Sequence, residues 1–182
     1  MREGPLAEPW HSFLTDLDRQ LAAPAELHCL GGFVVADRYD VTRTTADLDV
    51  LHTVNETSRI VAALAGRGTP MHTRHKVYVD VVAVAIVPEN YEARLVDLHS
   101  GAFRHIRLRA LDVHDLVLAK LTRNIDRDRD DVRRLARHPG LDPSVLERRY
   151  YDELRFQVAR PEREDTTLAL WIEMLAEIKA GT

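Results

Sequence analysis

The segment Ala46-Asp47-Leu48-Asp49-Val50-Leu51 constrains the fold of this chain more than any other. Apolar and acidic residues alternate with period two, the pattern of a β-strand with one dry face and one polar face. Asp47 and Asp49 then project a few ångströms apart from the same side, while Leu48 and Val50 point to the other. Two like charges so close repel and destabilise the fold unless a cation sits between them. Oxygen-only ligation of this kind suits a hard ion such as Mg²⁺, which in turn holds phosphates.

The flanking sequence points the same way. Leu27-His28-Cys29-Leu30 is a short, mostly apolar run that ends in Gly31-Gly32, and Phe33-Val34-Val35-Ala36 resumes the apolar pattern. This order predicts a strand, a Gly-Gly turn and a helix start, with backbone N–H groups aimed where a phosphate can dock. A third acid, Asp80, interrupts Lys76-Val77-Tyr78-Val79-Asp80-Val81-Val82-Ala83-Val84, the most strand-like stretch of the chain. A carboxylate inside so apolar a strand is costly unless it is paired or used. Taken singly, a Gly-Gly pair marks a turn and an Asp-x-Asp marks a solvated strand. Their order along the chain carries the argument.

That order resembles the nucleotidyltransferase superfamily typified by DNA polymerase β. The matching residues are Leu30-Gly31-Gly32, then Asp47-Leu48-Asp49, then Asp80 on a later strand. More narrowly the chain is similar to minimal nucleotidyltransferase domains related to the toxins of abortive-infection and toxin–antitoxin systems. The shared features are Arg43, Thr45, Asp47 and Asp49, then Asp115-Leu116 through Lys120, then Arg127-Asp128-Arg129-Asp130-Asp131-Val132. The likeness spans about residues 26 to 137. It implies Mg²⁺ held by Asp47, Asp49 and Asp80, a catalytic set of these three with Lys120, and a nucleotide site of Gly31, Gly32, Arg43, Thr45, Lys120, Asp128 and Asp131, in which Asp128 and Asp131 position basic side chains. Where many members of the superfamily carry serine, this chain carries Gly32, so a phosphate contact there falls to the backbone. The spacer from Gly32 to Asp47 is at the long end for the superfamily.

Composition sets bounds on function. Among 182 residues, 45% are apolar and 30% charged, as in an ordinary globular chain. A net charge of −4 excludes a globally basic nucleic-acid binder. Basic residues nonetheless concentrate from Arg104 to Arg137, a local surface suited to a triphosphate or an RNA end, or one whose arginines pair with Asp126, Asp128, Asp130 and Asp131. No apolar run approaches a membrane span, and Met1 to Pro5 lacks the apolar core of a signal peptide. Cys29 is the single cysteine, which leaves no intrachain disulfide and fits a reducing cytoplasm. A P-loop is absent, and His72-x-x-His75 finds no further ligands at zinc spacing, so both histidines are read as loop residues.

Periodicity gives an α+β architecture, a small mixed sheet flanked by helices with a helical C-terminal part. A helix is expected over Pro9–Ala22, with strands near 26–30, 47–51, 76–84 and 103–108. A helix from Glu56 to Ala65 and a loop from Gly66 to Pro70 lie between. From Asp112, an N-cap, everything is helical: a first helix, then Arg127–Arg137, Leu141–Val158 and Glu164–Ala180, with a break at Pro139-Gly140. A catalytic core of residues 1–110 and a helical region of 111–182 follow. The resulting expectation is a cytoplasmic Mg²⁺-dependent enzyme that moves a nucleoside monophosphate from an NTP to an acceptor hydroxyl. A tRNA 3′ end, a protein side chain or a small molecule all suit as acceptor, and the resemblance adds a cognate antitoxin as a partner. Two rivals stand beside it: a catalytically idle nucleotide-binding module, and a metal-dependent phosphohydrolase.

Overall fold

The computed structural model of the protein describes residues 5–39, 45–51, 56–82 and 85–181. Arg43, in the spacer between Gly32 and Asp47, lies outside the described residues. The chain divides into two compact units, Met1–Val84 with Leu95–Ala110, and Ala85–Arg94 with Leu111–Thr182. No helix among the described residues is long and apolar enough to cross a membrane.

The first unit is an α+β sheet domain. Its elements in chain order are α1 (Trp10–Gln20), β1 (Ala25–Leu30), α2 (Gly31–Arg38), β2 (Asp47–Leu51), α3 (Glu56–Ala65), α4 (Pro70–His75), β3 (Tyr78–Val82), β4 (Val96–Leu98) and β5 (Ile106–Ala110). The strands form one mixed sheet in the order β3-β2-β1-β5-β4. β1 runs antiparallel to β2 and parallel to β5, and β2 runs parallel to β3. The alternation in β2 produces the expected facing: Leu48 and Val50 are buried, Asp47 and Asp49 half-buried. Leu27, Cys29, Val79, Leu108 and Ala110 continue the dry face. Trp10, Phe13 and Leu17 of α1 are buried, with Trp10 edge-on to Phe33 of α2 at 5.0 Å between ring centroids. Each such aromatic burial contributes about 2–3 kcal/mol.

The strand expected over 103–108 instead occupies Ile106–Ala110. Its start is set by Asp18, whose carboxylate accepts from the N–H groups of Arg104 (3.1 Å), His105 (2.7 Å) and Ile106 (2.8 Å). Burial pushes the Asp18 carboxyl up, but these three donors outweigh it and hold the group below the usual carboxylate range. β4 has no counterpart in the sequence pattern, because three residues are too few to show a period. The third strand is shorter than 76–84. Lys76, in the left-handed region at φ 63°, closes α4 at one end, and residues 83 and 84 at the other lie outside the described residues. His72 and His75, read as loop residues, sit on α4, which Thr69 caps through His72 N and Pro70 starts.

The second unit is helical: α5 (Val113–Leu121), α6 (Asp126–Leu135), α7 (Pro143–Arg149) and α8 (Pro161–Ala180). The single helix expected from Leu141 to Val158 is broken. Asp142 caps α7 at Ser144 N, then a π turn over Tyr150–Leu154 and a 3₁₀ turn over Arg155–Gln157 follow. Tyr150 Oη, 2.8 Å from Asp165 Oδ1, ties this widened turn to α8. Residues 85–94 belong with this unit because Glu153 receives them: it accepts from Asn90 N at 3.1 Å and from Arg94 Nη2 at 2.7 Å.

Candidate active site

The parallel pairing of β2 and β3 matches Asp47 with Tyr78 and Asp49 with Asp80. Partners in a parallel ladder point to the same side, and so do residues two apart in one strand. Asp47, Asp49, Tyr78 and Asp80 therefore share one face of the sheet. Neighbouring strands lie about 4.8 Å apart and residues two apart in one strand about 6.7 Å, which sets the scale of the spacing among Asp47, Asp49 and Asp80. Asp80 is exposed and forms no hydrogen bond or ion pair with any described residue.

On the other side of β2, Asp49 faces Leu30, and α2 begins at the next residue. Gly31 carries φ +73°, which L side chains rarely adopt. A Cβ there would stand 2.8 Å from Asp49 Cγ and 3.1 Å from Asp49 Cβ, inside van der Waals contact. The glycine thus does two things: it turns the chain out of β1 and it lets Asp49 lie against the helix start. The N-cap of α2, Leu30, makes no side-chain cap hydrogen bond. Gly32 is buried in the first turn of α2. Thr45 is 7% exposed; its hydroxyl donates to the Asp47 carboxylate and lies 3.1 Å from the Asp47 carbonyl oxygen. Thr45 is thereby a positioning residue for Asp47.

Further along the same face the charges are matched. His28 Nε2 lies 3.0 Å from Glu26 Oε1, and Arg109 reaches Asp97 at 3.1 Å and Glu26 at 3.4 Å. Polarity along this face thus changes from acidic strands β2 and β3 to self-neutralised strands β1, β5 and β4.

Two residues at the acidic end carry no sequence signal. Arg67, in the turn after α3, donates from Nη2 to Tyr78 Oη at 2.6 Å and lies over the Tyr78 ring, 4.9 Å from its centroid. Only the β2–β3 register brings them beside Asp47, so a linear reading could not find them. Cys29 sits on the opposite face, fully buried, and burial pushes its thiol well up, which leaves it inert.

Lys120, Asp128 and Asp131 come together in the helical unit. Lys120 is 4% exposed; its ammonium donates to Asp131 Oδ2 at 2.8 Å and lies 3.5 Å from Asp128 Oδ1. Arg123 adds a two-pronged contact to Asp128 at 2.6 and 2.7 Å. Burial pushes the Asp128 carboxyl up, yet Arg123 and Lys120 prevail and hold it below its ordinary value.

The donor set Asp47, Asp49 and Asp80 is all oxygen and all anionic, which suits a hard divalent cation. Among the described residues no three His, Cys, Asp or Glu side chains converge on one point. The strand register places the three residues on one face, Asp49 level with Asp80 and Asp47 two residues before Asp49.

Comparison with known proteins gives one finding. A family model described as "Nucleotidyltransferase of unknown function (DUF6036)" matches residues 15–179. No curated protein and no solved structure matches the chain.

Proposed function

The chain belongs to this nucleotidyltransferase family, and from that premise we propose that it transfers a nucleoside monophosphate from an NTP to an acceptor hydroxyl with the help of Mg²⁺. The observation that carries the proposal is the in-register placement of Asp47, Asp49 and Asp80 on one face of β2 and β3, with Asp49 against Gly31. Asp47 and Asp49 are the residues to hold a divalent cation, with Asp80 completing the set. Bound there, the ion supplies charge neutralisation on the transferring phosphoryl group. Gly31 and Gly32 bring the leading N–H groups of α2 toward that position, where a phosphate oxygen can accept. Thr45 fixes the rotamer of Asp47. Asp80, exposed and unpartnered among the described residues, stands ready to take the acceptor hydroxyl's proton as its oxygen attacks the α-phosphorus and pyrophosphate departs.

Lys120, held by Asp131 and Asp128, is assigned a positioning role within its helices rather than a phosphate contact, because its ammonium is buried on two carboxylates. Arg43 keeps the nucleotide-binding role that the motif likeness implies. The acceptor of this proposal is the 3′ end of an RNA such as a tRNA, and the cellular setting a toxin with a cognate antitoxin. Both rest on the Arg43-to-Asp49 and Lys120-to-Asp131 motif likeness alone.

The test is incubation with each α-³²P-labelled NTP, Mg²⁺ and total bacterial RNA or lysate, with Asp47→Ala/Asp49→Ala in parallel. Label on RNA from the unmutated chain alone supports the proposal with its RNA acceptor. Label on protein keeps the transfer and replaces the acceptor. Phosphate release without transfer favours a phosphohydrolase, and neither binding nor turnover of any NTP favours an idle module.

A further inference from the structure

The turn between α3 and α4 holds one arginine in a fixed place. Gly68 carries φ +85°, and its N–H donates to His72 Nδ1 at 2.9 Å. Thr69 Oγ1 donates to Gly66 O at 2.8 Å and accepts from His72 N at 3.2 Å, which closes the turn onto the start of α4. The His72 ring in turn meets the edge of the Tyr78 ring, 5.0 Å between centroids. Arg67 leaves this braced turn and ends on Tyr78, by the 2.6 Å hydrogen bond and the cation–π contact already described. Tyr78 thus contacts both His72 and Arg67.

The partner of Arg67 is a neutral phenol. Among the described residues Arg67 forms no ion pair, and its side chain is exposed. The hydrogen bond to Tyr78 raises its pKa first, and the fields of Asp80 and Asp47 add to it; the strand register sets Tyr78 level with Asp47 and two residues from Asp80. An arginine tied to a carboxylate must give up that bond to take a phosphate. This one has its full charge available, on a preorganised support, at the acidic end of the face.

We propose that Arg67, steadied by Tyr78, binds the β- and γ-phosphates of the NTP and so distinguishes a triphosphate from a monophosphate. The proposal rests on the nucleotidyl-transfer reading of Asp47, Asp49 and Asp80. As the bond between the α-phosphorus and its bridging oxygen breaks, negative charge collects on the leaving pyrophosphate. A two-pronged guanidinium contact stabilises that charge more than it stabilises the substrate.

The experiment is calorimetric titration of the full chain with each NTP and its NMP in Mg²⁺, comparing the unmutated protein with Arg67→Ala, Arg67→Lys and Tyr78→Phe. Arg67→Ala is expected to weaken NTP binding about ten- to a hundredfold while NMP binding stays put. Arg67→Lys keeps the charge but not the fork, and Tyr78→Phe keeps the ring but not the hydroxyl, so both fall between. Thermal melts confirm that each variant folds. Equal NTP affinity in Arg67→Ala, or equal losses for NTP and NMP, overturns the role of Arg67 while leaving transfer intact. If the unmutated chain itself binds no NTP, the nucleotidyl-transfer reading fails and takes this role with it.

Discussion

The acidic end of the sheet and the charged interior of the helical unit hold similar residues in opposite circumstances. In the helices, Asp115 is 0% exposed and receives Arg94 at 2.9 Å and Arg149 at 2.9 Å, while Asp112 receives Arg149 at 2.8 Å. Lys120, Arg123, Asp128 and Asp131 repeat the pattern one helix away. Each of these charges has its counter-charge within the protein. On the sheet, Asp47 has a hydroxyl for company and Asp80 has no partner among the described residues. Charges matched internally define architecture; the proposed function reads the carboxylates on the sheet face as held for a ligand.

The comparison breaks most visibly if a helical charge proves dispensable. Asp115→Ala takes one of two carboxylate partners from each of Arg94 and Arg149, leaving Glu153 and Asp112, and is expected to cost about 3 kcal/mol in urea unfolding. A loss below ~1 kcal/mol would place the helical network with the solvated pairs instead. Gly31→Ala comes next, since it forces a Cβ against Asp49 in a backbone region that disfavours one. About 2–3 kcal/mol of stability should go, and NTP turnover with it. Acid titration sharpens the helical side. Burial pushes Asp112 up, but His114, the Asp115 N–H and Arg149 hold it at about 2 against an ordinary value of 3.8. A depressed carboxyl stabilises the fold above about pH 4 and loses that contribution as pH falls toward about 2. The amount is about 2 kcal/mol, readable from urea midpoints across that window. Asp115 works in the opposite sense, raised by burial, and trims the net effect. The smallest expected change is on the sheet: Asp80→Asn should leave stability within about 0.5 kcal/mol while abolishing nucleotide transfer. A destabilisation like that of Asp115→Ala would mean that Asp80 is structural.

What a linear reading can find follows from the range of the interactions. β2 at Asp47–Leu51 and α3 at Glu56–Ala65 have the bounds that their periodicity indicates, because alternation and helical spacing are local signals. Asp47 and Asp49 fall on one face for the same reason. That Asp80 stands level with Asp49 rather than Asp47 is a matter of register, which no local pattern states. β4 escapes because three residues carry no period, and α4 because its start depends on a threonine cap and a proline rather than on an apolar stripe. Arg67 is the hardest to see. Nothing distinguishes it from other exposed arginines until Tyr78, eleven positions later, arrives beside Asp47.

The parallel pairing of β1 with β5 joins Ala25 to Ile106 and Cys29 to Ala110, across some eighty intervening residues. During synthesis, β1, β2 and β3 can emerge and pair long before β5 exists. The central strand must then wait with one edge bare, and with Asp18 lacking the three amides it later collects. A nascent chain of which about 85 to 105 residues have left the ribosome would carry the acidic strands free to pair beside an open strand edge. That length is the one at which a chaperone or a stray β-strand has most to grip.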